Sequence, residues 1–104
     1  MAAKIIWSGQ ARDDLQSIVL FIAQDNPPVA ESFAFALMAK VDLLADFPLM
    51  GRVVPEQTDD GVRELIVRPY RVIYQVLADG NIIAILRVWH GARGEPEIPQ
   101  TVEF

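Results

Sequence analysis

The sequence of 104 residues contains no cysteine and a single histidine. The missing cysteine excludes a disulfide framework, a thiolate metal site and a cysteine nucleophile, and it fits a reducing cytoplasm. A lone histidine with no cysteine near it is a poor basis for a transition-metal site. We therefore expect neither a metal nor a cofactor.

Long hydrophobic runs and excess positive charge are also missing. No stretch reaches the roughly 18 uninterrupted apolar residues of a membrane span, and the N-terminal residues lack the pattern of a secretory leader. The formal net charge is -5, which argues against broad, non-specific nucleic-acid binding. We expect a cytoplasmic protein that does not insert into a membrane.

The positive charge that is present lies mostly in the second half of the chain. Six arginines follow residue 50, while many acids lie on the predicted helices, in the 56–60 segment and near the C-terminus. A local basic face is therefore compatible with an acidic protein. These arginines are Arg52, Arg63, Arg68, Arg71, Arg87 and Arg93.

Length and composition favour one folded domain, because 52% of the residues are hydrophobic and a typical domain has roughly 100–150 residues. We expect the domain to cover residues 1–93. Residues 94–104, which are acidic and contain two prolines, are expected to form an extended or mobile tail. Proline prevents this segment from continuing a strand ladder.

Hydrophobic spacing predicts an α+β fold of order βααβββ, with two helices packed on a small, mainly antiparallel sheet. Ser8 is a good cap for a helix over residues 10–25, and Asp13 and Asp14 suit the start of a helix. Asn26, before two prolines, is a good cap for a second helix that ends before Pro48. Strands are predicted at 4–7, 63–67, 70–77 and 82–89.

The last two strands are predicted to form a hairpin around Asp79-Gly80, a dipeptide typical of two-residue turns. If Ala78 pairs with Asn81, then Arg71 lies opposite Val88, and His90 lies on the face of Arg71, one diagonal step away. Arg87 would lie on the opposite, core face, where it is expected to stack on Trp89 or to pair with an acid.

The chain resembles the RelE/ParE superfamily of toxins from type II toxin–antitoxin systems, also called plasmid stabilisation proteins. The order and spacing of several short motifs over about residues 4–93 carry this resemblance. They are Ala11–Leu15 with Ile18, Asp25–Pro27, Phe47-Pro48, Gly51-Arg52, Pro55-Glu56, Arg63–Leu65, Tyr70–Tyr74 and His90–Arg93.

The resemblance implies one of two activities. RelE-like members cleave messenger RNA on the ribosome with basic residues and no metal, whereas ParE-like members inhibit DNA gyrase and are not nucleases. The nuclease pattern places its arginines on Arg71 and Arg93, and a second pattern adds His90 and Glu56 as candidate catalytic residues. Two lysines that the nuclease branch carries fall near Val62 and Glu64, and its tyrosine falls near Pro99, so these are absent.

We favour the ParE-like branch, because the missing lysines and the net negative charge weaken the case for ribosome binding. The RelE-like endoribonuclease and a degenerate toxin that only binds its antitoxin stay as alternatives. The implied partner is a cognate antitoxin in a hetero-oligomer, through which operator DNA would be contacted indirectly. Candidate residues for target or antitoxin binding are Arg63, Arg68, Arg71 and Arg93. For Arg71 and Arg93 the alternative is an ion pair with Glu64 or with the acidic tail.

Overall fold

The computed structural model describes residues 2–56, 61–98 and 104. Within these ranges, two helices pack on one face of a five-stranded sheet, which confirms the predicted α+β class. The longer elements in chain order are β1 (Lys4–Trp7), α1 (Gly9–Asp25), α2 (Pro27–Asp42), β2 (Arg52–Val53), β3 (Val62–Val67), β4 (Tyr70–Leu77) and β5 (Ile82–His90). Short 3-10 turns lie at Leu43–Ala45, Ala78–Gly80 and Gly91–Arg93.

Side-chain caps fix the start of both helices. The hydroxyl oxygen of Ser8 accepts a hydrogen bond from the Ala11 N–H at 3.0 Å. The side-chain oxygen of Asn26 accepts one from the Val29 N–H at 3.2 Å, and two prolines follow it in the first turn, where their missing N–H groups have no intrahelical partner to lose. Both predicted caps are confirmed.

The sheet has the strand order β1-β5-β4-β3-β2, with β1 parallel to β5 and the other neighbours antiparallel. The α1–α2 hairpin carries the chain from β1 at one edge of the sheet towards β2 at the other edge. The sequence did not predict β2, because two residues in a turn-rich segment are too few to show an alternating pattern.

The β4–β5 hairpin follows the predicted register up to the Tyr74–Ile85 pair. A β-bulge then inserts one extra residue into β5, so that Arg71 pairs with Trp89 and not with Val88. The turn also differs, since the strands close on the Leu77–Ile82 pair, one step earlier, and leave the four residues 78–81 between them; the first three of these form a short turn. All three of these residues have positive φ.

The bulge exchanges the faces of the last β5 residues, because neighbouring side chains of a strand point to opposite sides. His90 pairs with Tyr70, and the two rings meet edge-on at 5.1 Å on the helix side of the sheet. Trp89 instead pairs with Arg71 on the other side. The prediction that Arg71 and His90 share a face was therefore wrong.

Each face of the sheet has its own apolar cluster. The larger cluster lies under the helices and includes Ala11, Leu37, Val41, Leu44, Leu65, Val72, Tyr74, Ile83, Ile85 and Val88. The other face, which we call the back face, carries a smaller cluster of Val54, Val62, Ile73, Ala84 and Leu86.

Residues 94–98, which we call the strap, run beside the back face. Ile98 packs on the back-face cluster, and Pro96 is buried. The Gly94 carbonyl accepts a hydrogen bond from Trp89 Nε1 at 3.3 Å. This part of the predicted tail contacts the domain, whereas the tail predictions for 99–103 lie outside the described residues.

Candidate functional site

The back face carries two arginines and two glutamates in contact, which we call the ion-pair cluster: Arg52, Glu56, Glu64 and Arg71. The sheet brings three of them together, because Arg52, Glu64 and Arg71 lie on the neighbouring strands β2, β3 and β4. Arg52 pairs directly with Glu64 across the β2–β3 ladder. Glu56 reaches the same place from the segment that follows β2.

Every nitrogen of the Arg71 guanidinium donates to a carboxylate. Nε donates to Glu64 Oε1. Nη2 donates to Glu56 Oε1 at 2.9 Å, and Nη1 donates to Glu56 Oε2 at 3.3 Å. Glu64 in turn accepts from Arg52 Nε at 2.6 Å through its second oxygen. The alternative that Arg71 forms an ion pair with Glu64 is thus confirmed.

Burial makes this cluster electrostatically demanding. The Glu64 side chain has no exposed surface and that of Arg71 is 11% exposed, whereas that of Arg52 is 63% exposed. A buried carboxylate requires paired charge and full hydrogen bonding. Two arginines and two glutamates supply both, and their formal charges cancel.

The titration behaviour of two members follows from these contacts. The hydrogen bond from Arg71 holds the pKa of Glu56 below its ordinary value. Burial lowers the pKa of Arg71, but its hydrogen bonds to Glu56 and Glu64 outweigh that effect and raise the pKa overall. Both groups are therefore charged at neutral pH.

His90 and Arg93, the other candidates for catalysis, lie at the end of β5 and outside the ion-pair cluster. His90 Nδ1 accepts a hydrogen bond from the Ala92 N–H at 3.0 Å, so the neutral ring carries its proton on Nε2. The Arg93 guanidinium carbon lies 3.8 Å from the centre of the Trp89 ring, a stacked cation–π contact. The structure therefore separates Arg71 and Glu56 from His90.

The remaining predicted binding arginines differ in exposure. Arg63 Nη1 donates to the Gly51 carbonyl at 2.8 Å, which ties the segment before β2 to β3. Nearby, Tyr74 is buried and its hydroxyl donates to the Pro48 carbonyl at 2.8 Å; burial raises its pKa. Arg68 is exposed in the turn between β3 and β4. Arg63 thus has a structural contact, and Arg68 is open to solvent.

An ion pair joins α1 to β5; the sequence predicted an acidic partner for Arg87 but did not identify it as Asp14. Arg87 Nε and Nη2 donate to the two Asp14 oxygens at 2.8 and 3.0 Å, and the Val88 N–H also donates to Asp14 at 3.0 Å. Arg87 lies 4.9 Å from the Trp89 ring, so both expected contacts of Arg87 are confirmed. Its predicted placement on the core face was wrong, because the bulge pairs Arg87 with Ile73 of the back-face cluster.

An apolar groove of about 740 Å³ lies along the free edge of the sheet. We call it the β1 groove; it is lined by Lys4, Ile5, Ile6, Trp7, Arg12, Leu15, Gln16, Val19, Leu20, Met38 and Phe104. β1 is an edge strand that pairs only with β5 among the described strands. An edge strand beside an apolar groove can accept a further strand or an amphipathic helix.

No three side chains of the types that bind metals gather into a metal site among residues 2–56, 61–98 and 104. Neither described helix combines the length and the apolar character needed to cross a bilayer.

The chain matches a known protein family over most of its length. The model of the family described as ParE toxin of type II toxin-antitoxin system, parDE, matches residues 5–94. The matched range includes all members of the ion-pair cluster and both His90 and Arg93.

Curated relatives match over most of their length. Toxin RelE2 of Caulobacter vibrioides is 36% identical over 91 residues, which cover 88% of this chain and 98% of that protein. The putative toxin Y4kP of Sinorhizobium fredii is 30% identical over 97 residues, which cover 91% and 95%. Toxin RelE1 of Caulobacter vibrioides is 25% identical over 91 residues, which cover 88% and 96%.

Solved structures share the fold. The chromosomal ParDE toxin–antitoxin system from P. aeruginosa matches with a TM-score of 0.71 at 24% identity, over 86% of this chain and 96% of that one. A free mutant of the E. coli toxin RelE matches with a TM-score of 0.60 at 16% identity, over 90% and 88%. Both likenesses support the arrangement of two helices on a five-stranded sheet.

Proposed function

This chain belongs to the ParE toxin family of type II toxin–antitoxin systems, and we propose that it inhibits DNA gyrase by binding and carries out no chemistry of its own. One observation supports this most strongly. Arg71 is the residue that the nuclease branch would use. Each nitrogen of its guanidinium donates a hydrogen bond to the carboxylate of Glu56 or of Glu64. An inhibitor that acts by binding needs exposed surface and no reactive group.

Metal-independent RNA cleavage makes three demands that this site meets poorly. It needs a base for the 2′-hydroxyl, a cation for the charge that develops on phosphorus, and an acid for the leaving oxygen. Arg71 is already neutralised by carboxylates, and the lowered pKa of Glu56 makes it a weak base. His90 lies on the helix side, away from both.

The positions that would carry lysine in a nuclease support the same conclusion. Val62 is buried in the back-face cluster. Glu64 brings a buried negative charge to the centre of the ion-pair cluster, where a nuclease would hold a positive one. A phosphate approaching this face would meet neutral or apolar surface, and a phosphate backbone binds by contact with cations.

We further propose that a cognate antitoxin binds in the β1 groove. Its occupant would bury the exposed apolar side chains along the groove, of which Leu20 is 59% exposed, and would pair with the free edge of β1. The expected assembly is a hetero-oligomer that contacts operator DNA only through the antitoxin. The exposed Arg68 and Arg93 are the arginines that we propose for contact with the target or the antitoxin.

The printed names of two relatives, Toxin RelE2 and Toxin RelE1, support a second candidate function. That candidate is a ribosome-dependent endoribonuclease in which Arg71 and Arg93 are the cations and His90 or Glu56 is the base. It requires the ion-pair cluster to open when RNA binds.

Two assays on the purified protein separate these functions. The first measures supercoiling of relaxed plasmid by gyrase, and the second maps cuts in messenger RNA on stalled ribosomes. We expect supercoiling to stop at a protein concentration that leaves the mRNA intact, and added antitoxin to restore supercoiling.

Cuts in the ribosomal A site with unimpaired supercoiling would overturn the gyrase proposal in favour of the nuclease. Normal supercoiling and intact mRNA, together with normal growth on expression, would overturn both and leave the degenerate toxin. Antitoxin binding is read separately by co-purification of the β1-groove variant Leu20→Asp. The matched control is Leu49→Asp, the same substitution at a leucine that is 63% exposed and lies outside the groove. Loss of the antitoxin from the first variant alone is the expected result; equal loss or equal retention would contradict the groove assignment.

A further inference from the structure

A second cleft lies on the side of α1 opposite the β1 groove. It has a volume of about 350 Å³ and is lined by Asp14, Ser17, Ile18, Phe21, Tyr70, Val88, His90 and Arg93. The α1 residues that line the β1 groove and those that line this cleft alternate at helical spacing, which puts the two sets on opposite sides of the helix. An occupant of the groove therefore leaves the cleft open.

The acceptors of this cleft are already in use. Its one carboxylate, Asp14, receives three hydrogen bonds, two from Arg87 and one from the Val88 N–H. The Asp14–Arg87 pair is neutral as a unit, and its charges are satisfied within the protein. Asp14 thus offers little to a ligand that brings hydrogen-bond donors.

In the part of the chain that the structure describes, the Nε2–H of His90 and the N–H groups of Arg93 have no acceptor. Because His90 Nδ1 accepts from the Ala92 N–H, the Nε2 proton of the neutral ring is left to donate elsewhere. The Arg93 guanidinium stacks on Trp89, a contact that leaves its N–H edge free. Among the described residues, no carboxylate lies within ion-pair distance of Arg93. Ser17 and Tyr70 add two hydroxyl groups to the wall.

This balance of groups selects a ligand with one negative charge and an apolar stem. A planar guanidinium edge matches a carboxylate in a paired, charge-assisted geometry. A phosphate dianion is matched better by several arginines than by one, and Arg93 is the one arginine among the residues that line this cleft. The apolar part of the wall, Ile18, Val88 and the exposed Phe21, suits neighbouring aliphatic side chains.

We propose that this cleft is a second protein-docking site, which recognises an acidic side chain on a peptide segment of a partner protein. Arg93 and the Nε2–H of His90 bind the carboxylate, and Phe21 covers the residues beside it. The proposal holds whether or not gyrase is the target, because it specifies only the chemistry of the bound segment.

The test titrates two neutral-capped tripeptides into the isotopically labelled full chain and follows side-chain NMR signals. The probes are N-acetyl-leucyl-glutamyl-leucine amide and the matched glutaminyl peptide, which differ only in the carboxylate. We expect saturable shifts of the His90 ring, the Trp89 indole and the Arg93 Nε–H with the acidic peptide, and affinity at least about tenfold weaker with the neutral one.

Two variants locate the binding. Arg93→Gln should abolish the shifts, while Lys40→Gln, which removes an exposed cation on α2 outside the cleft, should leave them unchanged. Both residues are on the surface, and the unchanged remainder of each spectrum verifies the fold. Equal affinity for the two peptides, no saturation, equal losses in both variants, or tighter binding of inorganic phosphate than of the acidic peptide would each overturn the proposal. None of these outcomes alters the supercoiling result, so the two proposals fail separately.

Discussion

Arg71 and Arg93 lie at the same end of the β4–β5 hairpin, and Trp89 is next to both: it pairs with Arg71 across the ladder and stacks under Arg93. Their surroundings differ completely. The Arg71 side chain is 11% exposed and bound by two glutamates, whereas Arg93 is exposed and has no carboxylate partner among the described residues. One arginine holds the sheet together, and the other is available to a ligand.

An arginine that matches a family motif is therefore not necessarily available for binding or catalysis. The acidic side chains around an arginine decide whether its charge is neutralised by ion pairs within the protein. In this chain Glu56 and Glu64 neutralise the charge of Arg71, which stands at the position that the nuclease branch would use.

The largest effect is expected from Glu64→Gln. The substitution leaves the buried Arg71 with one carboxylate only and removes the partner of Arg52, so we expect a loss of about 3–5 kcal/mol in the free energy of unfolding. Chemical denaturation measures it. The matched control is Glu31→Gln on the exposed surface of α2, expected within about 0.5 kcal/mol of the unchanged chain. Equal stability of the two variants would show that the ion-pair cluster is not structural.

A somewhat smaller loss is expected from Asp14→Asn. It weakens the pairing of Arg87, whose side chain is 6% exposed, and the acceptor of the Val88 N–H. We expect about 2–3 kcal/mol by denaturation, below the Glu64 value because the Asp14 side chain keeps 15% exposure. Asp13→Asn, on the neighbouring exposed residue, is the control. A loss as small as that of the control would mean that Asp14 and Arg87 do not fasten α1 to β5.

Glu56 should make a smaller contribution to the free energy of unfolding, and this contribution should depend on pH. Its pKa in the folded protein lies below the ordinary value of 4.5, because Arg71 hydrogen-bonds to the charged form. The contribution is therefore complete above about pH 4.5 and is lost as the pH falls through the folded pKa. Glu56→Gln should cost about 0.2–1 kcal/mol at pH 7.

Denaturation of both proteins at a series of pH values checks this dependence. The stability difference between the unchanged chain and Glu56→Gln should shrink steadily on acidification. A difference that stays constant or grows below pH 4 would contradict the Arg71–Glu56 contact.

Arg93→Gln should have the smallest effect on stability, within about 0.5 kcal/mol, because Arg93 is exposed and only stacks on Trp89. Denaturation next to Arg68→Gln provides the comparison. A loss above about 2 kcal/mol would place Arg93 with the structural arginines and remove the contrast with Arg71.

Much of the architecture could be predicted from local signals. Ser8 and Asn26 mark the helix starts because short polar side chains before a helical pattern satisfy its free N–H groups. The strand pattern also predicted the three long antiparallel strands. These signals depend on a few neighbouring residues, which is why a single sequence carries them.

The site could be predicted only in part, because it depends on one inserted residue. Ile83 to Leu86 is a continuous apolar run, so no change of pattern marks the β-bulge that moves Trp89 onto the face of Arg71. The Arg71–Glu64 pair was an alternative from the sequence, and the pairing of β3 with β4 brings the two residues together. The contact with Glu56 depends on the path of the 54–56 segment, which no periodicity encodes.

The most direct test of the contrast between the two arginines is an NMR titration of the labelled full chain that follows the Nε–H signals of Arg71 and Arg93. The titrant is an RNA trinucleotide, and the acidic tripeptide is added to a second sample. We expect the Arg71 Nε–H signal to shift with neither titrant and the Arg93 Nε–H signal to shift with the acidic peptide. A saturable shift of the Arg71 signal with RNA would contradict it, because it would show that the ion-pair cluster opens to bind phosphate.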